Sequence, residues 1–323
     1  MTRIFVHDQS GSREAGAIEP GWLLPGSGVT VWVDIAAPTL DDSRVLSDVF
    51  RFHELAVEDA LSEIHHPKIE SYGDYLYLIL HRIDFHETQR EKRFATHDVD
   101  FFLGPNYLVT VHDGHSRSIA AQHAVCLRNH AAMAEGAAAL MHRIVDALVD
   151  HYRPEADKLE ESVDALETRV FEYPRENPLR ELVTLKKDIA ALRRVTLPQR
   201  DAISRLARRE FPQIPEPVAL RLRDVYDQLV RLADESTMLN DRVQGLVEVY
   251  LSSQSNRLNQ VMKVMTVIAT IFMPLTVLSG LFGMNVLLPH MPGPSWLEFW
   301  WIVGLMVAIA GVMLLVFRKA RWL

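Results

Sequence analysis

The stretch VMTVIATIFMPLTVLSGLFG, Val264–Gly283, runs for twenty positions without an ionisable side chain. A helix of about that length crosses the hydrocarbon core of a bilayer, so the run reads as a membrane span. A second run of the same kind, FWWIVGLMVAIAGVMLLVF, occupies Phe299–Phe317. Lys263 precedes the first span, Arg318, Lys319 and Arg321 follow the second, and the connecting loop at 284–298 holds no Lys or Arg. Basic residues favour the cytoplasmic side, which puts both termini inside and the short loop outside. Trp296, Trp300, Trp301 and Trp322 fall where the two interfaces would lie. The reading is a multi-pass protein of the cell's inner (plasma) membrane, in contact with lipid, with a basic cytoplasmic tail at 318–323.

Ahead of the spans the chain divides in two. Residues 1–136 read as a cytoplasmic α/β domain: TVWVDI (Thr30–Ile35), YLYLILHRIDF (Tyr75–Phe85), HDVDFFLG and NYLVTVH are β-rich runs separated by turn residues. Gly104-Pro105-Asn106 joins the last two as a hairpin. Thr39 is placed to cap one helix, and ELAVEDALSE (Glu54–Glu63) forms another. Residues 137–217 read as a helical hairpin, with Leu159, Val163, Leu166 and Val170 and then Leu182, Leu185, Ile189 and Leu192 at helical spacing. After Pro217 no proline occurs until Pro274. A single helix over 218–283 would hold about 65 residues and extend about 100 Å, with its membrane part at 264–283. Such a helix needs neighbours to bury its faces, so an oligomer is expected.

Within that helix Glu248, Asn259, Met262, Met265, Ala269, Met273, Thr276 and Gly280 form a stripe, spaced by three or four residues from Asn259 onward. Small residues and thioethers suit a helix-packing face. The polar ends, Asn259 on the inner side and Asn285 on the outer, are what a plain packing face does not need. Asn285 either caps the helix or meets something in water that an uncharged oxygen should touch.

Other classes find little support. A net charge of −8 gives no electrostatic reason for a nucleic-acid partner. The single Cys126 excludes an internal disulfide. The start, MTRIFVHDQSGSREAG, has no apolar run after Arg3, so no signal peptide is expected. The adjacent His65 and His66 would not share a face and read as surface, and His81, His86 and His97 lack metal-ligand spacing. With no phosphate loop and no nucleophile elbow, the chain is not expected to be an enzyme.

Gly283-Met284-Asn285 after the first of two C-terminal spans resembles the signature of the CorA family of divalent-cation channels. EVYLSSQSNRLNQVMKVMTVIATIFMPLTVLSG (Glu248–Gly280), the closing RKARWL and the cytoplasmic HELAVEDALSEIHHPKIESYGDYLYLILH are similar to that family as well. The resemblance implies an α+β cytoplasmic domain, long helices and a two-helix membrane hairpin, assembled as a funnel-shaped homopentamer. It implies a pore lined by the stripe and a selectivity filter at Gly283, Met284 and Asn285. It also implies regulatory Mg²⁺ between subunits at Glu58, Asp59 and Asp224, which holds the channel closed. Mg²⁺ is the expected cargo, with Co²⁺ and Ni²⁺ permeating. This chain departs from the family pattern at Phe282, where tyrosine is usual, and at Met291-Pro292-Gly293-Pro294, where relatives carry an acidic loop. His290 beside that loop suits a softer ion, so the alternative reading is a Zn²⁺ transporter of the related branch, with proton coupling as an option.

Overall fold

The structure, a computed structural model, describes residues 1–24, 26–62, 66–88, 91–172, 177–284, 295–320 and 322. The chain divides into two units, Met1–Val247 and Glu248–Leu323.

The first unit is built on a seven-stranded sheet in the order β2-β1-β3-β7-β6-β5-β4. The strands are β1 Thr2–Asp8, β2 Gly11–Ala15, β3 Thr30–Ala36, β4 Lys68–Ser71, β5 Leu76–Thr88, β6 Glu91–Leu103 and β7 Tyr107–His112. All neighbours are antiparallel except β3 and β7, which pair in parallel with Val33 opposite Val109. The hairpin at 104–106 closes with Leu103 opposite Leu108. Gly104 is required there, because a Cβ would fall 2.2 Å from the Tyr107 ring.

Side chains alternate across a pleated strand, and here both faces are covered. Val31, Val33 and Ile35 of β3 join Tyr77, Ile79, Phe102 and Val109 on one face, packed with Leu46, Phe52, Ala56 and Val57. The last two belong to α2, Glu54–Leu61. Phe52 stacks on Phe102 with ring centroids 4.2 Å apart. Before it, α1 (Leu40–Arg44) begins where both the backbone N–H and the hydroxyl of Thr39 donate to Asp42 Oδ2, at 2.8 and 2.7 Å. That bond fixes the first turn from its exposed end.

The other face meets helices. α3 (Arg117–Arg128), α4 (Ala137–Asp150), α5 (Tyr152–Glu172) and α6 (Leu179–Ala207) follow β7. Leu159, Val163, Leu166 and Val170 of α5 are buried, as are Leu182, Leu185, Ile189 and Leu192 of α6. Buried Gln199 ties these helices to the sheet. Its Oε1 accepts from the His81 N–H at 3.0 Å, and its Nε2 donates to the Tyr152 hydroxyl at 2.7 Å. That hydroxyl in turn donates to the His81 carbonyl at 2.7 Å. Gln199 and Tyr152 between them satisfy both buried backbone groups of His81, which would be costly to leave unpaired.

α7 runs unbroken from Glu216 to Phe282, 67 residues, and α8 spans Ser295–Lys319. Both are long and apolar enough to cross a membrane.

Candidate functional site

The second unit carries the polar stripe. Glu248, Asn259, Met262, Met265, Ala269, Met273, Thr276 and Gly280 are all exposed in the single chain. Val267 is buried, and Ile271, Pro274, Leu275 and Leu278 are half-buried. At about 100° per residue these five centre roughly 180° away from the stripe. Val264, Ile268, Phe272 and Val277, off the stripe, are exposed as well, so the apolar side is covered only in part. Ala269 and Met273, near the middle of the stripe, border an open apolar cleft of about 630 Å³ shared with Ile309 and Met313 of α8.

The hydroxyls of this segment are committed inward. Thr266, Thr270 and Thr276 donate to the carbonyls of Met262, Thr266 and Phe272, at 2.8, 2.7 and 2.9 Å. Each proton is used by the backbone, which is the least costly arrangement for a hydroxyl in an apolar segment. At Thr276 only oxygen lone pairs remain to face outward. That suits acceptance of a hydrogen bond from water carried by a cation.

α7 ends tightly. The Gly283 N–H donates to the Ser279 carbonyl at 2.9 Å. A Cβ at Gly283 would lie 2.9 Å from that same oxygen, so any side chain forces the backbone to shift. Met284 is exposed just beyond. Asn285 and the rest of the loop to Pro294, with His290, lie outside the described residues, as do His65 and Arg321.

The three carboxylates expected to hold metal all belong to the first unit. Glu58 is exposed and Asp59 half-buried, both on α2, while Asp224 is exposed on α7. Asp59 Oδ2 lies 2.7 Å from Lys68 Nζ, which is also 2.9 Å from Glu70 Oε1. Asp224 belongs to an acidic neighbourhood: burial raises the Asp146 carboxyl, and the charges of Asp150 and Asp224 raise it further. These three side chains offer only hard oxygen donors, without sulfur or imidazole. Another group, Asp157, Glu160 and Glu235, could also hold an ion. There Arg153 pairs with Asp157 at 2.8 Å and Glu235 at 3.0 Å, so the cluster carries its own counter-charge.

Buried polar clusters in the sheet were not foreseen from the sequence. Asp34 receives the Thr110 hydroxyl at 2.5 Å, with His112 Nε2 at 3.3 Å and His123 Nε2 at 3.1 Å. Burial alone would raise this carboxyl, yet the bonds from His112, His123 and Thr110 outweigh it and hold Asp34 at about 2. His81 pairs with Asp98 at 3.1 Å. Asp100, fully enclosed, accepts from the Tyr77 hydroxyl at 2.6 Å. Burial, helped by the Asp98 charge, pushes Asp100 up to about 8.

The sign for Asp100 is definite. Below about pH 4 the group is protonated folded or unfolded. As pH rises towards 8 the unfolded chain releases the proton and the folded one keeps it, so stability is lost through that window and levels off above it. Asp100→Asn keeps an acceptor for Tyr77 without this loss. Thermal unfolding of the full-length variant is expected to exceed wild type by roughly 5 °C at pH 8 and to match it at pH 4. A constant difference across that range would contradict the assignment.

An α+β unit followed by a C-terminal pair of apolar helices, the first bearing an exposed stripe that is uncharged from Asn259 to Gly280, defines a class of two-span membrane proteins. The chain belongs to the CorA family: the family described as CorA-like Mg²⁺ transporter protein matches residues 27–319. It is a divalent-cation transporter of that family, whose members are channels and transporters rather than enzymes. A curated relative, the cobalt/magnesium transport protein CorA of Thermotoga maritima, is 32% identical over 306 residues, covering 92% of this chain and 84% of its own length. The divalent cation transporter CmaX of Pseudomonas aeruginosa is 31% identical over 180 residues, 55% of this chain and 52% of its own. Among solved structures, the complete CorA magnesium transporter from Methanocaldococcus jannaschii superposes with a TM-score of 0.81 at 19% identity. It covers 100% of this chain and 99% of the other. At that identity the likeness concerns the fold.

Proposed function

We propose that this chain forms a homopentameric channel for Mg²⁺ uptake, admitting Co²⁺ and Ni²⁺, in which α7 of each subunit lines the pore. The observation that carries the reading is the exposed face of α7 on which Asn259, Thr276 and the small Ala269 and Gly280 stand among methionines, on the side away from buried Val267. Five such faces turned inward are covered by one another and by the ion's water. Mg²⁺ holds its hydration shell tightly. The lone pairs of Thr276 and the carboxamide of Asn285 accept hydrogen bonds from that water without stripping it, and neutral oxygens let the ion leave again. Met262 and Met273 narrow the path apolarly, Asn259 forms an inner polar ring, and Glu248 raises the cation concentration at the inner mouth.

Closure is assigned to the first unit. Asp59 of one subunit faces Asp224 of the next, and Glu58 stands beside them. Their like charges repel until a hard cation is held between them. The transported ion is then its own feedback signal. Lys263, Arg318 and Lys319 flank the spans on one side and hold both termini in the cytoplasm of the inner membrane.

The test is ion entry into proteoliposomes of the full-length protein, at fixed membrane potential and without a pH gradient. Voltage-driven Mg²⁺ entry that stops when the internal side is loaded with Mg²⁺ is the expected result. Zn²⁺ entry that requires an added proton gradient, with no Mg²⁺ entry, would overturn it.

A further inference from the structure

Lys68 opens β4 and reaches across to α2. Its ammonium lies 2.7 Å from Asp59 Oδ2 and 2.9 Å from Glu70 Oε1, and 5.7 Å from the centre of the Tyr77 ring. The Tyr72 hydroxyl donates to the other oxygen of Glu70 at 2.9 Å and fixes that carboxylate. A lysine ammonium is charged at neutral pH. The side chains are 33% (Lys68), 25% (Asp59) and 40% (Glu70) exposed, which leaves the group in reach of ions from solution. Two carboxylates and an aromatic face thus hold a cation, and that cation belongs to the chain itself.

Asp59 is the carboxylate assigned above to divalent-cation sensing, and the inference rests on that reading. An ion taking Asp59 Oδ2 must displace the Lys68 bond, and one using the other oxygen still sits beside a fixed positive charge. We propose that Lys68 is a tethered counter-cation that competes with the divalent ion for Asp59 and so sets the concentration at which the site fills. A monovalent charge about 5 Å from a divalent one, even at the dielectric of water, lowers occupancy about tenfold. The threshold for sensing is thereby moved to higher cation concentration without changing a ligand. Partly exposed ion pairs contribute little to folding, so the lysine can be removed without unfolding the chain.

The experiment is the Mg²⁺-dependent rise in thermal unfolding temperature of the full-length protein in detergent, titrated with magnesium chloride at constant ionic strength. Lys68→Met keeps the stem against Tyr77 and removes the charge, and Lys68→Gln provides a second neutral variant. Both are expected to lower the half-saturating Mg²⁺ about tenfold, while Lys68→Arg stays within about twofold of wild type. Asp59→Asn is run beside them. Loss of the Mg²⁺ response in Asp59→Asn with an unchanged or raised midpoint in both neutral Lys68 variants sinks the Lys68 inference alone. A wild-type midpoint in Asp59→Asn instead removes Asp59 from the site, and the inference goes with it.

Discussion

Asn285→Ala and Gly283→Ala are each expected to cut voltage-driven Mg²⁺ entry into proteoliposomes roughly tenfold or more, for different reasons. Alanine at 285 removes the carboxamide oxygen that accepts hydrogen bonds from the hydrated ion. What remains is an apolar ring, and a strongly hydrated divalent ion has no reason to dwell there. Alanine at 283 leaves the carboxamide present and moves it. The new Cβ would lie 2.9 Å from the Ser279 carbonyl, a backbone atom that cannot swing aside, so the end of α7 must open. The Gly283 N–H bond to that oxygen is lost or stretched with it. Asn285→Gln separates the two effects, because it keeps the amide and alters its reach. Its expected signature is altered ion preference with residual flux. A helical scaffold without transport would be indifferent to all three substitutions, and unchanged Mg²⁺ entry in Asn285→Ala would remove Asn285 from the pore.

The parts of this molecule that were legible in the sequence are those encoded by local pattern. The charge-free run at Val264–Gly283 coincides with the end of α7, and the absence of proline between Pro217 and Pro274 with its continuity. The helical spacing of Leu159, Val163, Leu166 and Val170 marks side chains that are all buried. The strands around Trp32, Leu78, Phe101 and Val109 announce themselves because both faces of the sheet are covered and almost every residue is apolar. β2 could not be found this way. Gly11–Ala15 reads GSREA and is a strand only because it pairs with Ile4–Asp8. β4, four residues with two charges, depends in the same way on β5. β1 has only Ile4, Phe5 and Val6 to show. Among candidate site residues, the stripe on α7 was legible because three-and-four spacing is a property of one helix. The lysine beside Asp59 was not: the two are nine positions apart on different elements, and no periodicity relates them. The cluster of Asp34 with His112 and His123 joins three elements across about 90 residues, so only the folded sheet brings those groups together.

Asp59→Ala combined with Asp224→Ala is expected to leave Mg²⁺ entry insensitive to internal Mg²⁺ over the range that closes the wild-type channel. The argument is one of magnitude. Lys68 offsets one of the two charges of Asp59 and Glu70, so that group keeps a net charge of −1, and such a charge about 4 Å from a carboxylate at the dielectric of water is repelled by about 1 kcal/mol. One such contact could not gate a channel, but a pentamer would contain five, which together amount to about 5 kcal/mol. A shift of about 5.5 kcal/mol takes a two-state equilibrium from 1:99 to 99:1, so five weak repulsions released in concert suffice. The same arithmetic fixes the level at which the variant should settle. Alanine removes the cation site and the repulsion together, so flux in the absence of internal Mg²⁺ should lie at or below that of wild type. Asp59→Asn with Asp224→Asn should behave alike, since the charge and not the volume is at issue. Retention of wild-type inhibition in both double variants would place the sensor elsewhere. Asp157, Glu160 and Glu235 would be next in line, and Arg153→Ala, which removes their counter-charge, would then be expected to sharpen the response. A double variant that conducts faster than wild type without Mg²⁺ would refute the repulsion itself, because it would mean that Asp59 and Asp224 hold neighbouring subunits together without any ion.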